Sequence, residues 1–234
     1  HVQAVGDVLE PRVVKADLEL PGPQLVQQVV DLQRVVPQDL SVLGGGALGL
    51  GLSGGAALPQ VNQNSTNSVI VSNNLALAVN TTFGGSSSGE VRVAGVISGS
   101  GTLIKTNASA LHLNNTANTY SGKTIIAGGT LGIDGDLSMG ALPGAFQADN
   151  VTIDNGGTLK VAIVNGSSMH ANRGITLGSS TQNVVKVSGN RTFTINGVIS
   201  GVGSLCFGDT TAWAADGGGG GRIHLYGANT HTGD

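Results

Sequence analysis

The chain has 234 residues, a formal net charge of −3, 11% charged residues, 3% aromatics and 39 glycines. Ordinary soluble domains carry roughly 25% charged residues, so this composition argues against a compact enzyme with a bulky core and a highly charged surface. Hydrophobic residues still make up 39% of the chain, which argues against wholesale disorder. The small negative charge gives no electrostatic footprint for nucleic acid or for an anionic membrane. What fits is a Gly- and Asn-rich β protein with a thin aliphatic core.

The first sixty residues differ from the rest. Five of the six prolines (Pro11, Pro21, Pro23, Pro37, Pro59) lie there. Leu25, Val29, Leu32 and Val36 recur at helical spacing, and Pro37 would end such a helix, although the many β-branched residues weaken it. The uncharged stretch Val42–Leu58 reads as a flexible Gly-rich linker, with the apolar part of an export signal as the alternative. It is too short and too glycine-rich to span a membrane. Residues 1–60 are therefore expected to be poorly structured or partly helical, or to come from a misassigned reading frame. A chain running from His1 to Asp234 reads as a fragment.

From residue 61 to 234 the texture is uniform. Short β-forming runs follow one another: Ser68–Ser72, Leu75–Val79, Glu90–Ile97, Thr102–Lys105, Ala110–Asn114, Lys123–Ile126 and Thr130–Ile133. They continue as Val151–Asp154, Thr158–Val164, Gly174–Leu177, Val184–Val187, Thr192–Ile195, Ser204–Phe207 and Arg222–Tyr226. Gly, Asn, Ser and Asp separate them, the residues that make turns. Such spacing suits a sandwich, a barrel or a solenoid.

An internal repeat separates these. Gly95-Val-Ile-Ser-Gly-Ser-Gly-Thr-Leu103 returns 102 residues later as Gly197-Val-Ile-Ser-Gly-Val-Gly-Ser-Leu205. A second block follows each copy in the same order: Leu111 to Gly122, then Ile223 to Gly233, after an insertion containing Trp213 and Gly217–Gly221. Collinear blocks indicate stacked coils. The predicted structural residues are Gly95, Gly99, Gly101, Leu103, Leu111, Leu113, Asn118, Thr119, Tyr120 and Gly122. Their counterparts are Gly197, Gly201, Gly203, Leu205, Asn229, Thr230 and Gly233, with His231 standing where the first copy has Tyr120. Leu111 and Leu113 should point inward and His112 outward. Corner asparagines should stack into amide ladders.

The succession from Gly95 through Leu111-x-Leu, Ala117-Asn-Thr-Tyr-Ser-Gly122 and Gly128-Gly-Thr-Leu131 resembles the autotransporter-associated β-strand repeat, also called the passenger-associated transport repeat. Asp149–Leu159 and Asn172–Leu177 resemble what separates such repeats. The resemblance implies an all-β, right-handed parallel β-helix (β-solenoid) in the passenger of a Gram-negative autotransporter-like surface protein, with an outer-membrane barrel elsewhere in the full-length chain. It implies a stalk that aids secretion and adhesion at the cell surface. The partner would be a surface ligand such as polysaccharide or another cell surface, and the molecule a monomeric rod or one that self-associates through its ends. With coils of ~20–25 residues, residues 61–234 would make about seven or eight coils, a rod of roughly 35 Å.

The chemistry-bearing residues are few. His112 and His224 occupy matched repeat positions but fall several coils apart, and His170 and His231 lack partners at ligand spacing, so no metal or cofactor is expected. Asp134 with Asp136, and Asp149 with Asp154, are the candidate acid–base carboxylates of a polysaccharide-cleaving β-helix, the alternative reading. Flanking Gly135 and Asn155-Gly156-Gly157 favour turn capping instead. Cys206 reads as a small buried residue. The basic residues Arg92, Lys105, Lys123, Lys160, Arg173, Lys186 and Arg191 are scattered in sequence without interleaved aromatics, which gives no support for nucleic-acid binding. An outward row of Asp, Lys or aromatic residues across consecutive coils would favour carbohydrate binding, and no such row is evident from the sequence.

Overall fold

The computed structural model describes residues 29–31, 48–50, 58–162, 166–180, 182–189, 191–208 and 221–233. In chain order the strands are β1 (Val29–Asp31), β2 (Leu48–Leu50), β3 (Gln60–Asn62), β4 (Val69–Val71), β5 (Leu75–Leu77), β6 (Thr81–Gly84) and β7 (Glu90–Val93). Then come β8 (Ile97–Gly99), β9 (Leu103–Thr106), β10 (Ala110–Leu113), β11 (Thr124–Ala127) and β12 (Thr130–Ile133). A 3-10 turn, Asp136–Met139, precedes β13 (Gln147–Ile153), β14 (Thr158–Val161), β15 (Ser167–Met169), β16 (Arg173–Leu177) and β17 (Asn183–Val187). The last are β18 (Thr192–Ile195), β19 (Ile199–Gly201), β20 (Leu205–Phe207) and β21 (Arg222–Leu225).

These strands build a parallel β-solenoid with three faces. The first face has the order β1-β3-β6-β9-β11-β13-β16-β19, and the second has β4-β7-β10-β12-β14-β17-β20. The third comprises two three-stranded pieces, β2-β5-β8 and β15-β18-β21. On the first face Gln60 lies beside Thr82, Thr81 beside Leu103 and Leu103 beside Thr124. Thr124 then lies beside Val151, Val151 beside Ile175 and Ile175 beside Ile199. The offsets are thus 22, 22, 21, 27, 24 and 24 residues, which makes six coils from β3 to β19. At ~4.8 Å per coil they span about 29 Å.

The coils are longer in the second half. Between β12 and β13 the chain makes the 3-10 turn and a loop instead of a third-face strand. Arg173 of the next coil holds this detour. Its side chain is 1% exposed, and its guanidinium donates to the carbonyls of Met139 (3.0 Å), Gly140 (3.1 Å) and Ala141 (3.2 Å) and pairs with Asp136 at 2.8 Å. A buried guanidinium persists because its two NH2 groups reach these carbonyls and Asn150 while Asp136 offsets its charge.

The core is a column of aliphatic side chains running through every described coil, as the period-2 alternation of short strands dictates. Leu111, Leu131, Leu159 and Val185, for example, stand one above the other on the second face, each at most 1% exposed. Lys105 interrupts an inward column on the first face, between Phe83 and Ile126. Its side chain is fully buried, and its ammonium donates to the backbone carbonyls of Thr106 and Asn107.

The repeat is rotated about the axis. Four coils beyond Leu103 the same face is reached at Ile199, 96 residues on, whereas the repeat length is 102. The second copy therefore lands one face further round. Ile97–Gly99 lies on the third face and Ile199–Gly201 on the first. The local geometry is nevertheless the same. Gly99 and Gly201 have φ of +104° and +108°, and a Cβ on either would come within 2.2 Å of a carbonyl oxygen of the preceding coil. Asn118 Oδ1 accepts from the Ile97 N–H at 2.8 Å, and Asn229 Oδ1 accepts from the Ile199 N–H at 2.8 Å.

Those asparagines correct the expected amide ladders. Asn74, Asn80, Asn118 and Asn229 each accept from a backbone N–H of a neighbouring coil, so the side chain satisfies the main chain rather than another amide. At the N-terminal end, Val29–Asp31 of the region with helical spacing is extended and pairs with Gln60–Asn62, in keeping with its β-branched residues. The rest of the Leu25–Val36 expectation, most of the linker and the Trp213 insertion lie outside the described residues.

Candidate functional site

The second face carries a feature that the linear sequence conceals. Register places Arg92 beside His112, His112 beside Gly132, Gly132 beside Lys160 and Lys160 beside Lys186. Alternation turns all five outward, because their neighbours Leu111, Leu113, Leu131, Ile133, Leu159 and Val161 fill the core. Together with Glu90, Thr130, Ser188 and nearby backbone they line a cleft of about 480 Å3. Three basic residues spread over 95 positions of sequence thus share one strip with a histidine between them. The expectation that no outward row exists is overturned.

His112 is the best-defined group in the strip. It was expected to project into solvent between two leucines, yet it is only 7% exposed. Its Nδ1 lies 3.1 Å from Glu90 Oε1 and its Nε2 lies 2.8 Å from Asp134 Oδ1. Gly132 lets the ring lie flat: a Cβ there would stand 3.0 Å from His112 Cδ2. With a carboxylate at each ring nitrogen, the doubly protonated imidazolium is the form that donates to both. Burial, the largest single influence, opposes that charge, but the hydrogen bonds and charges of Glu90 and Asp134 together outweigh it. The pKa of His112 is raised above 6.5. The hydrogen bond from His112 is the main cause lowering the pKa of Glu90 below 4.5, with partial burial opposing and Arg92, 3.2 Å away, assisting.

The other candidate acids do not assemble. Asp134 is bound to His112, whereas Asp136 pairs with Arg173 at 2.8 Å. Asp149 pairs with Lys123. Asp154 Oδ1 accepts from the N–H of Asn155 at 2.8 Å and of Ser180 at 3.3 Å, which is the turn-capping role its flanking residues suggested. Each of these four carboxylates has its own partner, and no two of the four face a shared space in the way acid–base cleavage requires.

The remaining histidines are apart from the strip. His224 lies on the third face, with its ring edge-on to Tyr226 at 6.4 Å, so the matched sequence positions of His112 and His224 reflect the rotated repeat and not a shared site. His170 Nδ1 accepts from the Asn172 N–H at 3.1 Å. Among the described residues no group of three or more His, Cys, Asp or Glu side chains converges as a metal ion would need. Cys206 is half-buried and unpaired to any other cysteine; it lies beside Val184 on the outward row, not in the core.

The repeat residues form a structural site. The N–H groups of Thr119 and Thr230 donate to the carbonyls of Ile97 and Ile199, both at 2.8 Å. Those of Ser121 and Thr232 donate to Gly99 and Gly201 at 2.8 and 3.0 Å. Tyr120 is fully buried, its hydroxyl 2.8 Å from Thr124 Oγ1, and burial pushes its pKa up to about 12. The block Ala117–Gly122 therefore docks onto the Ile97–Gly101 segment one coil earlier, and 228–233 docks onto 199–203 in the same way.

Among described residues no helix is long and apolar enough to cross a membrane. No curated protein and no solved structure matches the chain significantly. A family model does: the passenger-associated-transport-repeat matches residues 103–133. Its limits coincide with the start of β9 and the end of β12, which is one full coil and the beginning of the next. The chain is a parallel β-solenoid that carries a passenger-associated transport repeat.

Proposed function

We propose that this chain is part of the passenger of a Gram-negative autotransporter, exported to the cell surface and serving there as a non-catalytic stalk for display and adhesion. The observation that supports it best is the continuous, mainly aliphatic core combined with coil-to-coil hydrogen bonding. Each coil offers the next a ready-made edge, so the chain can fold progressively as it emerges from a pore and needs no distant partner. Scarce charge and a single cysteine suit a chain that crosses membranes unfolded and oxidising space without cross-linking. In this reading the full-length chain contains an outer-membrane barrel, and the solenoid is a monomeric rod or one that associates end to end.

The test is to place residues 1–234 between a secretory leader and an outer-membrane barrel and to treat intact cells with protease. The segment should become accessible at the surface, and deletion of residues 103–133 should slow its appearance. Retention of the intact segment in the periplasm would refute the reading.

The second face supports a carbohydrate-binding role better than carbohydrate cleavage, because among the described residues its acids, Glu90 and Asp134, are hydrogen-bonded to His112 while hydroxyl and basic side chains line the cleft.

A further inference from the structure

We propose that the cleft on the second face binds a neutral polysaccharide, holding two adjacent hydroxyls of one sugar ring at the Glu90–Arg92 pair and a hydroxyl of a further ring at Ser188. The proposal rests on the carbohydrate-binding reading of this face and names the class of sugar it takes.

The charges around the cleft are matched within the chain. Glu90 Oε1 lies 3.2 Å from Arg92 Nε and 3.1 Å from His112 Nδ1, and His112 Nε2 lies 2.8 Å from Asp134 Oδ1. With His112 protonated, two cations meet two carboxylates, and Lys160 and Lys186 each already interact within the chain. What these groups offer a ligand is hydrogen bonding rather than net charge. The pairing also fixes them in place. Arg92 Nη2 donates to Glu90 Oε2 at 3.4 Å, so a donor and an acceptor stand side by side where both side chains reach solvent. A carboxylate oxygen has two lone pairs and a guanidinium five N–H groups, so the pair retains capacity for two neighbouring hydroxyls, each able to give and to accept.

A second observation points to the same ligand. Ser188 lines the cleft, and its Oγ is buried with no hydrogen-bond partner among the described residues. Orphaned buried hydroxyls are rare in folded proteins, and a sugar hydroxyl entering the recess supplies the missing partner. The small residues Ala110, Gly132 and Ala162 leave open a recess of about 480 Å3, and Thr130 adds a hydroxyl to its lining. From the Glu90–Arg92 pair on β7 to Ser188 after β17 is four strand steps of ~4.8 Å, so a chain of sugars spans the cleft and a single ring does not. The same topology denies a peptide strand: β7, β10, β12, β14 and β17 each have a neighbour on both sides, leaving no edge to extend. The cleft lining contains no aromatic residue, so recognition is by hydrogen bonds without ring stacking.

The test measures binding of β-linked mannohexaose to the purified chain by calorimetry. Its internal rings leave the hydroxyls at positions two and three free, whereas laminarihexaose, linked through position three, has no adjacent free pair on its internal rings. Mannohexaose should bind about tenfold more tightly than laminarihexaose, and raising salt from ~0.05 M to ~0.5 M should leave its affinity unchanged. Arg92→Met should weaken binding about tenfold. Ser188→Ala should weaken it several-fold without lowering Tm, because removing an unpaired buried hydroxyl does not destabilise the fold. Circular dichroism confirms that both variants remain folded. No binding of mannohexaose, a strong loss of affinity with salt, or unchanged affinity in both variants would each overturn the proposal. Equal affinity for the two sugars would overturn it while sparing the carbohydrate-binding reading, and all of these are distinct from failure of the secretion assay.

Discussion

A histidine held between two carboxylates behaves differently from a solvated one, and its neighbours are separated from it by 22 residues on either side. Because the pKa of His112 is raised, its contribution to stability is fully present below 6.5 and is lost as pH rises through the higher folded value. Glu90 has a lowered pKa, so its contribution is present above 4.5 and is lost as pH falls through the lower folded value. The advantage of the native chain over His112→Gln in urea unfolding should therefore be greatest between pH 4.5 and 6.5 and shrink on either side. An NMR titration of the His112 ring with its midpoint at or below 6.5 would contradict this assignment. Lys105 gives the opposite sign. Burial lowers its pKa from 10.5 to about 8, so its stabilising share is complete only above 10.5 and is lost as pH falls through 8. Between those values the native chain should gain up to ~3 kcal/mol from this residue, a slope that Lys105→Met abolishes. Tyr120, with its raised pKa, opposes that trend only above its ordinary value of 10.0.

Strands of three to seven residues hold here because most are hydrogen-bonded to a coil above and a coil below, not because any strand is stable alone. The corner asparagines extend this pairing beyond the strand ends. Asn118 is 3% exposed, accepts from Ile97 N–H and donates to Ser138 O at 2.8 Å, and so ties together three coils. Asn118→Ala leaves a buried N–H and a buried C=O without partners, at a cost of ~1–3 kcal/mol. The equivalent Asn229 is exposed, and water can replace it, so Asn229→Ala should cost about 1 kcal/mol or less. Equal thermal shifts in the two variants would show that the rotated copies do not differ in this way.

The solenoid as a whole is a stack of nearest-neighbour contacts, so its response to length changes is governed by the coil period. Leu103 and Thr124 are register partners. Removing residues 103–123 takes out one complete coil and joins Thr102 to Thr124 with every inward side chain still inward. That deletion should leave a folded, shorter rod with strand-rich circular dichroism and a smaller maximum dimension in X-ray scattering. Removing only 103–113 sends the following strands to the wrong faces and should abolish the cooperative transition. Folding of both deletions, or of neither, would be inconsistent with a strict coil period.

Composition and local pattern determined the fold class. Alternating aliphatics, turn-forming Gly and Asn, and two collinear blocks specify stacked parallel coils whatever their neighbours, because each of these signals acts within one coil or between adjacent ones. The Asp154 turn was legible for the same reason. The tertiary structure decided what depends on the number of residues in each coil. Coils of 21 to 27 residues do not keep a constant phase, so the second repeat copy turns to a different face, and His112 and His224 part company. The same uneven periods bring Glu90 and Asp134 to His112 and align Arg92, Lys160 and Lys186, residues that look scattered along the chain. A constant spacing of 22 would have revealed the histidine cluster, since its members obey it. The lysines could not be found that way, because the detour clamped by Arg173 lengthens the coil before them. Which residues share a face is set by accumulated loop length, and that quantity is fixed only when the coils are stacked.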